Sequence, residues 1–192
     1  MIRCDKNYRE ADYYNKKFSR PYKHSVYDRV YKVILSYLNP SVDTKVVELG
    51  CGCGFLARKI LSQGVGFYCG VDFSQVAIQK AKEQCKKFLG DHHYLVNCRV
   101  EEAFIYQLDS TDFVSTEVLE HLRDDVKVMS MIRKGTRVHI SVPSFLSDDH
   151  VRYFKSEDDV VNRYKKVIRF DKITRVKMSG RNYIFPFSGV RI

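Results

Sequence analysis

KVVELGCGCGFLARKI, residues 45–60, is the stretch on which the fold turns. An apolar run (Val46, Val47, Leu49) gives way to glycine at alternate positions, Gly50, Gly52 and Gly54. An amphipathic segment follows, with Phe55, Leu56, Ile60 and Leu61 on one side. Glycine packs nothing and costs backbone entropy, so three within five residues mark a place where something must approach the main chain. A strand, a glycine turn and a helix in that order present bare backbone and the donors of a helix start to a ligand. The spacing is G-x-G-x-G, with Phe55 where a dinucleotide fingerprint would carry its third glycine, and this argues against NAD. Asp72, 22 residues past Gly50 and at the end of the next strand-like run, is placed to accept both hydroxyls of a ribose.

Outward from this stretch, elements alternate. Strand-like FYCGVD, a helix opened by Ser74, strand-like YLVNC and DFVST, a short helix from Glu117, a second over Val126–Ile132 and strand-like RVHISV follow in turn. Ser25–Leu38 keeps helical spacing up to Asn39-Pro40, and Ser156–Asp159 has the form of a capping box. The tail (KVIRF, ITRVKM, YIFPFSGVRI) reads as strands joined by turns. Continuous apolar strands alternating with helices predict an α/β fold, a doubly wound, mostly parallel sheet with an antiparallel C-terminal edge hairpin. The chain of 192 residues is expected to be one domain: a helical N-terminal lid over 1–40, a cofactor-binding core over 41–150, and C-terminal strands with the substrate side over 151–192.

No run approaches the roughly 18 apolar residues of a membrane helix, and the charged start lacks an apolar leader core. Six scattered cysteines without a C-x-x-C suit reduced thiols and a cytoplasmic setting. Cys51-x-Cys53 has no second thiol pair to complete a metal site, and small side chains filling a turn explain it better. The net charge of +10 is uneven: residues 1–40 hold nine basic and four acidic groups, residues 151–192 eleven and four. A basic docking face for an anionic partner, with Lys16, Lys17, Arg152 and Lys155 as its members, stands beside a plain solvated surface as the explanation.

Four motifs in register, Glu48-Leu-Gly50-Cys-Gly52-Cys-Gly54, Gly70-Val-Asp72-Phe-Ser74, Arg99-Val-Glu101-Glu-Ala103 and Thr116-Glu117-Val-Leu-Glu120-His121, resemble class I S-adenosylmethionine-dependent methyltransferases over roughly residues 40–150. The nearest likeness is to the ubiquinone-biosynthesis O-methyltransferase type. The resemblance implies a seven-stranded sheet with its last strand antiparallel, S-adenosylmethionine as cofactor and S-adenosylhomocysteine as product. It places Glu48 and the three glycines under the methionine part, Asp72 on the ribose, Phe73 and Ser74 by the adenine, and Val100 and Glu101 at the adenine edge. Thr116 and Glu117 then face the sulfonium and the acceptor.

An oxygen acceptor must lose a proton, and His121 is the candidate base, with Glu117 beside it. The expected acceptor is a small molecule, anionic or aromatic, methylated on oxygen or nitrogen. An alternative uses Glu117, Glu120 and His121, at i, i+3 and i+4 on one helical face, together with the distant His150. Two carboxylates and two imidazoles suit a divalent ion, and E-x-x-E-H followed by a far histidine resembles the small-RNA 3′-terminal 2′-O-methyltransferases, which implies a nucleic-acid substrate. The simpler, metal-free reading is the expectation. A second alternative is a non-catalytic subunit that binds the cofactor or RNA.

Overall fold

The computed structural model describes residues 1–3, 5–20 and 27–192. Lid residue Tyr22 and the expected helix start at Ser25 lie outside them.

A short strand, β1 (Ile2–Arg3), leads to helix α1 (Ala11–Ser19), and α2 covers Asp28–Leu38. Asn39 ends α2 in the left-handed region at φ 46°, its N–H donating to the Leu35 carbonyl, before Pro40 turns the chain. The core then alternates: β2 (Lys45–Leu49), α3 (Phe55–Leu61), β3 (Phe67–Asp72), α4 (Gln75–Cys85), β4 (His93–Asn97), β5 (Asp112–Thr116), α5 (Asp125–Met131) and β6 (Arg137–Pro143). Beyond it come β7 (Arg152–Tyr153), α6 (Glu157–Tyr164), β8 (Ile168–Ile173), β9 (Val176–Lys177) and β10 (Tyr183–Arg191).

The main sheet runs β4-β3-β2-β5-β6-β10-β8, with β9 paired to β10. β2 to β6 pair in parallel, and β10 is antiparallel to both β6 and β8. The expected C-terminal antiparallel pair is present, and its last strand lies inside. β10 is buried along nearly its whole length, whereas β8 exposes Arg169, Asp171 and Lys172 in part or fully, so the charged strand takes the edge and protects it.

Both faces of the sheet are covered. Val46 joins Ile34, Leu38, Leu56 and Ile60 under α2 and α3, while its neighbour Val47 joins Val128, Met129 and Tyr164 under α5 and α6. Such alternation inside a fully apolar run is what a parallel strand buried on both faces requires. Each fully buried aliphatic side chain here contributes about 1.5–3 kcal/mol of transfer free energy. Ser74 caps α4 by accepting from the Ala77 N–H, and Ser156 caps α6 by accepting from Asp159 N–H.

The segment after β5 departs from expectation. Glu117 takes φ +56°, and only Leu119–His121 coils, as a single 3-10 turn. Glu117, Glu120 and His121 therefore do not share an α-helical face. Their grouping comes from the tertiary fold.

Candidate functional site

The strand ends converge on a cavity of about 220 Å³. Its floor is the β2–α3 turn. Gly50 sits at φ +70°, and a Cβ there would stand 2.3 Å from a Val118 methyl, so only glycine lets β2 turn beneath the Glu117 segment. Gly54 sits at φ +81°, and a Cβ there would stand 2.9 Å from Ala81 Cα on α4. The glycines thus serve close approach on both sides of the turn.

Asp72, 7% exposed at the tip of β3, ties the turn together. Its Oδ2 accepts from the Gly52 N–H (3.0 Å) and its Oδ1 from the Ser74 N–H (2.8 Å). Each oxygen keeps a second lone pair for a ligand hydroxyl. Burial raises its carboxyl to about 6, against the pull of the two N–H bonds. Glu48, on β2 and 1% exposed, accepts from the Tyr68 hydroxyl (2.5 Å), and burial pushes it up to about 7. Tyr68 was not legible as a partner, because it lies on the neighbouring strand.

Phe73 is flanked by Tyr14 (5.1 Å between centroids) and by the Arg99 guanidinium, 5.6 Å from its ring. Val100 and the exposed Glu101 line the same end, Glu101 standing 3.8 Å from the Arg99 Nε. Thr116, Glu117 and Val118 form the wall between the two halves of the cavity. Cys51 and Cys53 are buried beside the glycines, and burial raises both thiols. They act as small packing groups.

The far half holds the charged cluster. The Ser141 hydroxyl donates to Glu117 Oε1 (2.8 Å), and burial raises Glu117 to about 8. Glu120 is fully buried, neither of its oxygens has a hydrogen-bond partner, and burial together with the neighbouring Glu117 holds it well above the usual carboxylate range. His121 Nδ1 lies 2.7 Å from the Asp149 carbonyl and 3.0 Å from the Tyr14 hydroxyl, while its Nε2 is 3.7 Å from Glu120 Oε1. His150 Nδ1 meets the Phe145 carbonyl at 3.0 Å. A carbonyl only accepts, so both imidazoles carry their proton on Nδ1 and turn a lone pair outward on Nε2. Desolvation lowers His121 to about 4, so it stays neutral at physiological pH. One ligand atom from each of Glu120, His121 and His150 lies within 4.8 Å of the others, the one such group among the described residues. Glu117 stands outside it.

Corrections also fall on the basic face. Arg152 is wholly buried, donating to the Leu119, Leu122 and Arg123 carbonyls and standing 3.4 Å from Asp125. Lys17 pairs with Asp149 at 2.7 Å. Arg152 is therefore out of reach of a partner, and Lys17, 37% exposed, is already paired within the chain. Asn7, Tyr8, Arg9 and Asn15 contribute to the site although no sequence pattern marks them, and Arg99, the first residue of the third motif, joins them.

A sheet of this order with a glycine turn at the tip of its first core strand defines the class I methyltransferase fold. The chain matches, over residues 47–137, the family model described as a methyltransferase domain. It is 32% identical over 107 residues to the tRNA U34 carboxymethyltransferase of Shewanella sediminis (strain HAW-EB3), a match covering 54% of this chain and 32% of that protein. The match thus takes in about a third of the relative's length. The N-methyltransferase NodS of Bradyrhizobium japonicum WM9, solved with S-adenosyl-L-homocysteine, superposes with a TM-score of 0.74 at 13% identity, covering 94% of this chain and 97% of that one. The (4+2)-cyclase SpnF superposes at 0.76 with 8% identity over 99% and 98% of the two chains. One fold carries both chemistries, so the reaction must be argued from the site. No helix among the described residues is long and apolar enough to cross a membrane.

Proposed function

We propose that this chain transfers a methyl group from S-adenosylmethionine to an oxygen or nitrogen of a small anionic or aromatic acceptor. The observation that carries this is the continuity of the cavity, from Glu48, Gly50, Gly52 and Asp72 at one end to Glu117, His121 and His150 at the other. The cradle suits the cofactor: bare backbone at Gly50 and Gly52, a buried carboxylate with free lone pairs at Asp72, and a second at Glu48 for a cationic amine. When bound, S-adenosylmethionine supplies an electrophilic methyl on a sulfonium. The protein's part is to orient the acceptor, exclude water and receive a proton. The outward lone pair of His121 Nε2 is its acceptor for that proton.

The aromatic and basic lining, Tyr8, Arg9, Tyr14 and Phe145, favours an anionic aromatic acceptor. The tRNA relative is named for carboxymethyl transfer. We take methyl as the transferred group, since the matched family model is described as a methyltransferase domain.

A second reading of the acceptor side rests on Glu120. A buried carboxylate with two unpartnered oxygens, beside two imidazoles whose tautomers are set by backbone carbonyls, is the arrangement of a divalent-ion site with its outer hydrogen bonds in place. Glu120, His121 and His150 would hold the ion, which would lower the pKa of an acceptor hydroxyl. Mixed oxygen and nitrogen ligands favour Mn²⁺ or Co²⁺ over Mg²⁺. Calorimetry should show Mn²⁺ binding that is lost in Glu120→Gln, and no binding in the wild-type protein would remove this reading.

Incubation with methyl-labelled S-adenosylmethionine and a cell extract, split into RNA, protein and small-molecule fractions, tests the main proposal. Label in the small-molecule fraction is expected. Label in RNA would move the acceptor to a ribose hydroxyl or a base. Cofactor binding without label anywhere would favour a non-catalytic subunit.

A further inference from the structure

The amino-terminal segment reaches the acceptor side at several points that neither the sheet nor its crossover helices supply. Asn7 Nδ2 donates to the Ser147 carbonyl (3.1 Å) and the His150 carbonyl (3.2 Å). Lys17 Nζ donates to Asp149 Oδ2 (2.7 Å), and the Asp149 side chain has no exposed surface. The Tyr14 ring meets the His121 ring edge-on at 5.7 Å, with its hydroxyl 3.0 Å from Nδ1. The same helix is anchored on the cofactor cradle, where Asn15 Oδ1 accepts from the Ser74 hydroxyl (2.8 Å), two residues from Asp72.

These contacts share one consequence. The Asp149 carbonyl faces His121 Nδ1 at 2.7 Å, and the position of that carbonyl depends on how the 147–150 loop is held. Asp149 is buried but the Lys17 side chain is 37% exposed, so solvent screens their attraction while the carboxylate is still desolvated. Lys17–Asp149 therefore does little for the docking of α1 that a leucine pair would not do better. What it does supply is a fixed geometry for Asp149.

We propose that Asn7, Tyr14 and Lys17 are positioning residues for His121: they hold the 147–150 loop and the imidazole so that the Nδ1 proton stays on the Asp149 carbonyl and the Nε2 lone pair faces the acceptor. The inference builds on the proposed function only in giving His121 work on the acceptor side, and it applies whether Nε2 meets a proton or a metal ion. Helix α1 thereby belongs to the reacting geometry as well as to the lid. Because Asn15 and Tyr14 are adjacent on it, displacement of α1 from the cradle releases His121 at the same time.

The test is spectroscopic and needs no acceptor. Long-range ¹H–¹⁵N correlation on ¹⁵N-histidine protein, with His121 assigned by His121→Asn, reports which ring nitrogen carries the proton. In the wild-type protein His121 should be a single neutral Nδ1–H species. Asn7→Ala with Lys17→Met should convert it to a mixture of tautomers, and Asn7→Ala with Lys17→Arg should restore the single species. A single Nδ1–H tautomer in the double variant would overturn the proposal. Should that variant fail to fold, Tyr14→Phe, which keeps the ring and its packing, decides: displaced His121 resonances support the positioning role and unchanged ones overturn it. Absence of methyl transfer by the wild-type protein would remove the functional reading and leave the tautomer result standing.

Discussion

Asp72 and Glu48 show how a single side chain can serve both fold and ligand. Asp72 closes the glycine turn through two backbone N–H groups and keeps lone pairs that, under the proposed function, accept from a ribose. Asp72→Ala should weaken S-adenosylmethionine binding by about 2–4 kcal/mol, the scale of bonds lost to a charged acceptor, and calorimetry giving wild-type affinity would refute the assignment. Glu48 makes a prediction about pH. Its folded carboxyl titrates near 7, above the ordinary 4.5, so the native state holds a proton that the unfolded chain releases between those values. Stability is then fully present below about pH 4.5 and is lost as pH rises toward 7, by an amount on the order of 3 kcal/mol. Glu48→Gln keeps an acceptor for Tyr68 and cannot titrate, so urea melts from pH 4 to 8 should show a shallower decline than wild type. Identical slopes would place the proton elsewhere.

At the scale of elements, the β2–α3 turn and the Glu117 segment are one device. Gly50 has no room for a Cβ because Val118 lies over it, and Val118 lies there because Glu117 takes a left-handed conformation. Gly50→Ala should destabilise the protein by roughly 2–5 kcal/mol, combining about 1–2 for the positive φ with about 1–3 for overpacking. Adding Val118→Ala should relieve the steric part and leave the backbone part, a non-additivity that a double-mutant cycle with denaturant melts would measure. Additive effects would mean that the two elements are not in register as described.

On the scale of the whole molecule, the basic excess is less available than a count of residues suggests. Arg152 is interior, Arg163 pairs with Asp125 at 2.5 Å, and Arg191 donates to the Met129 and Ser130 carbonyls at 3.0 Å. These cations hold the C-terminal strands and α6 to the core. Exposed Lys16 and Lys155, and Arg9 at the cavity lining, are among the cations that remain for steering an anion. Replacing Lys16 and Arg9 by Gln should flatten the salt dependence of binding to an RNA oligonucleotide without changing stability. Arg152→Ala should do the reverse, costing about 3–5 kcal/mol because Asp125 and three carbonyls lose a buried partner. Equal salt dependence in all these variants would leave the surface charge without a docking role.

Period and local chemistry were enough to anticipate the sheet and its glycine turn, while the proposed cofactor half of the site came from the family resemblance. Gly52, Asp72 and Ser74 act on neighbours in or beside their own crossover, so their spacing carries their geometry. The acceptor half was decided only by tertiary structure. Glu120, His121 and His150 meet across a 3-10 turn and a distant loop, not along a helix face. Asn7, Tyr14 and Lys17 reach them from the other end of the chain. The outward lone pairs depend on carbonyls at Asp149 and Phe145, and the fate of Arg152 depends on Asp125. A backbone carbonyl has no residue-type signature, and burial arises only when separate elements pack. That is why E-x-x-E-H was readable as residues and not as an arrangement.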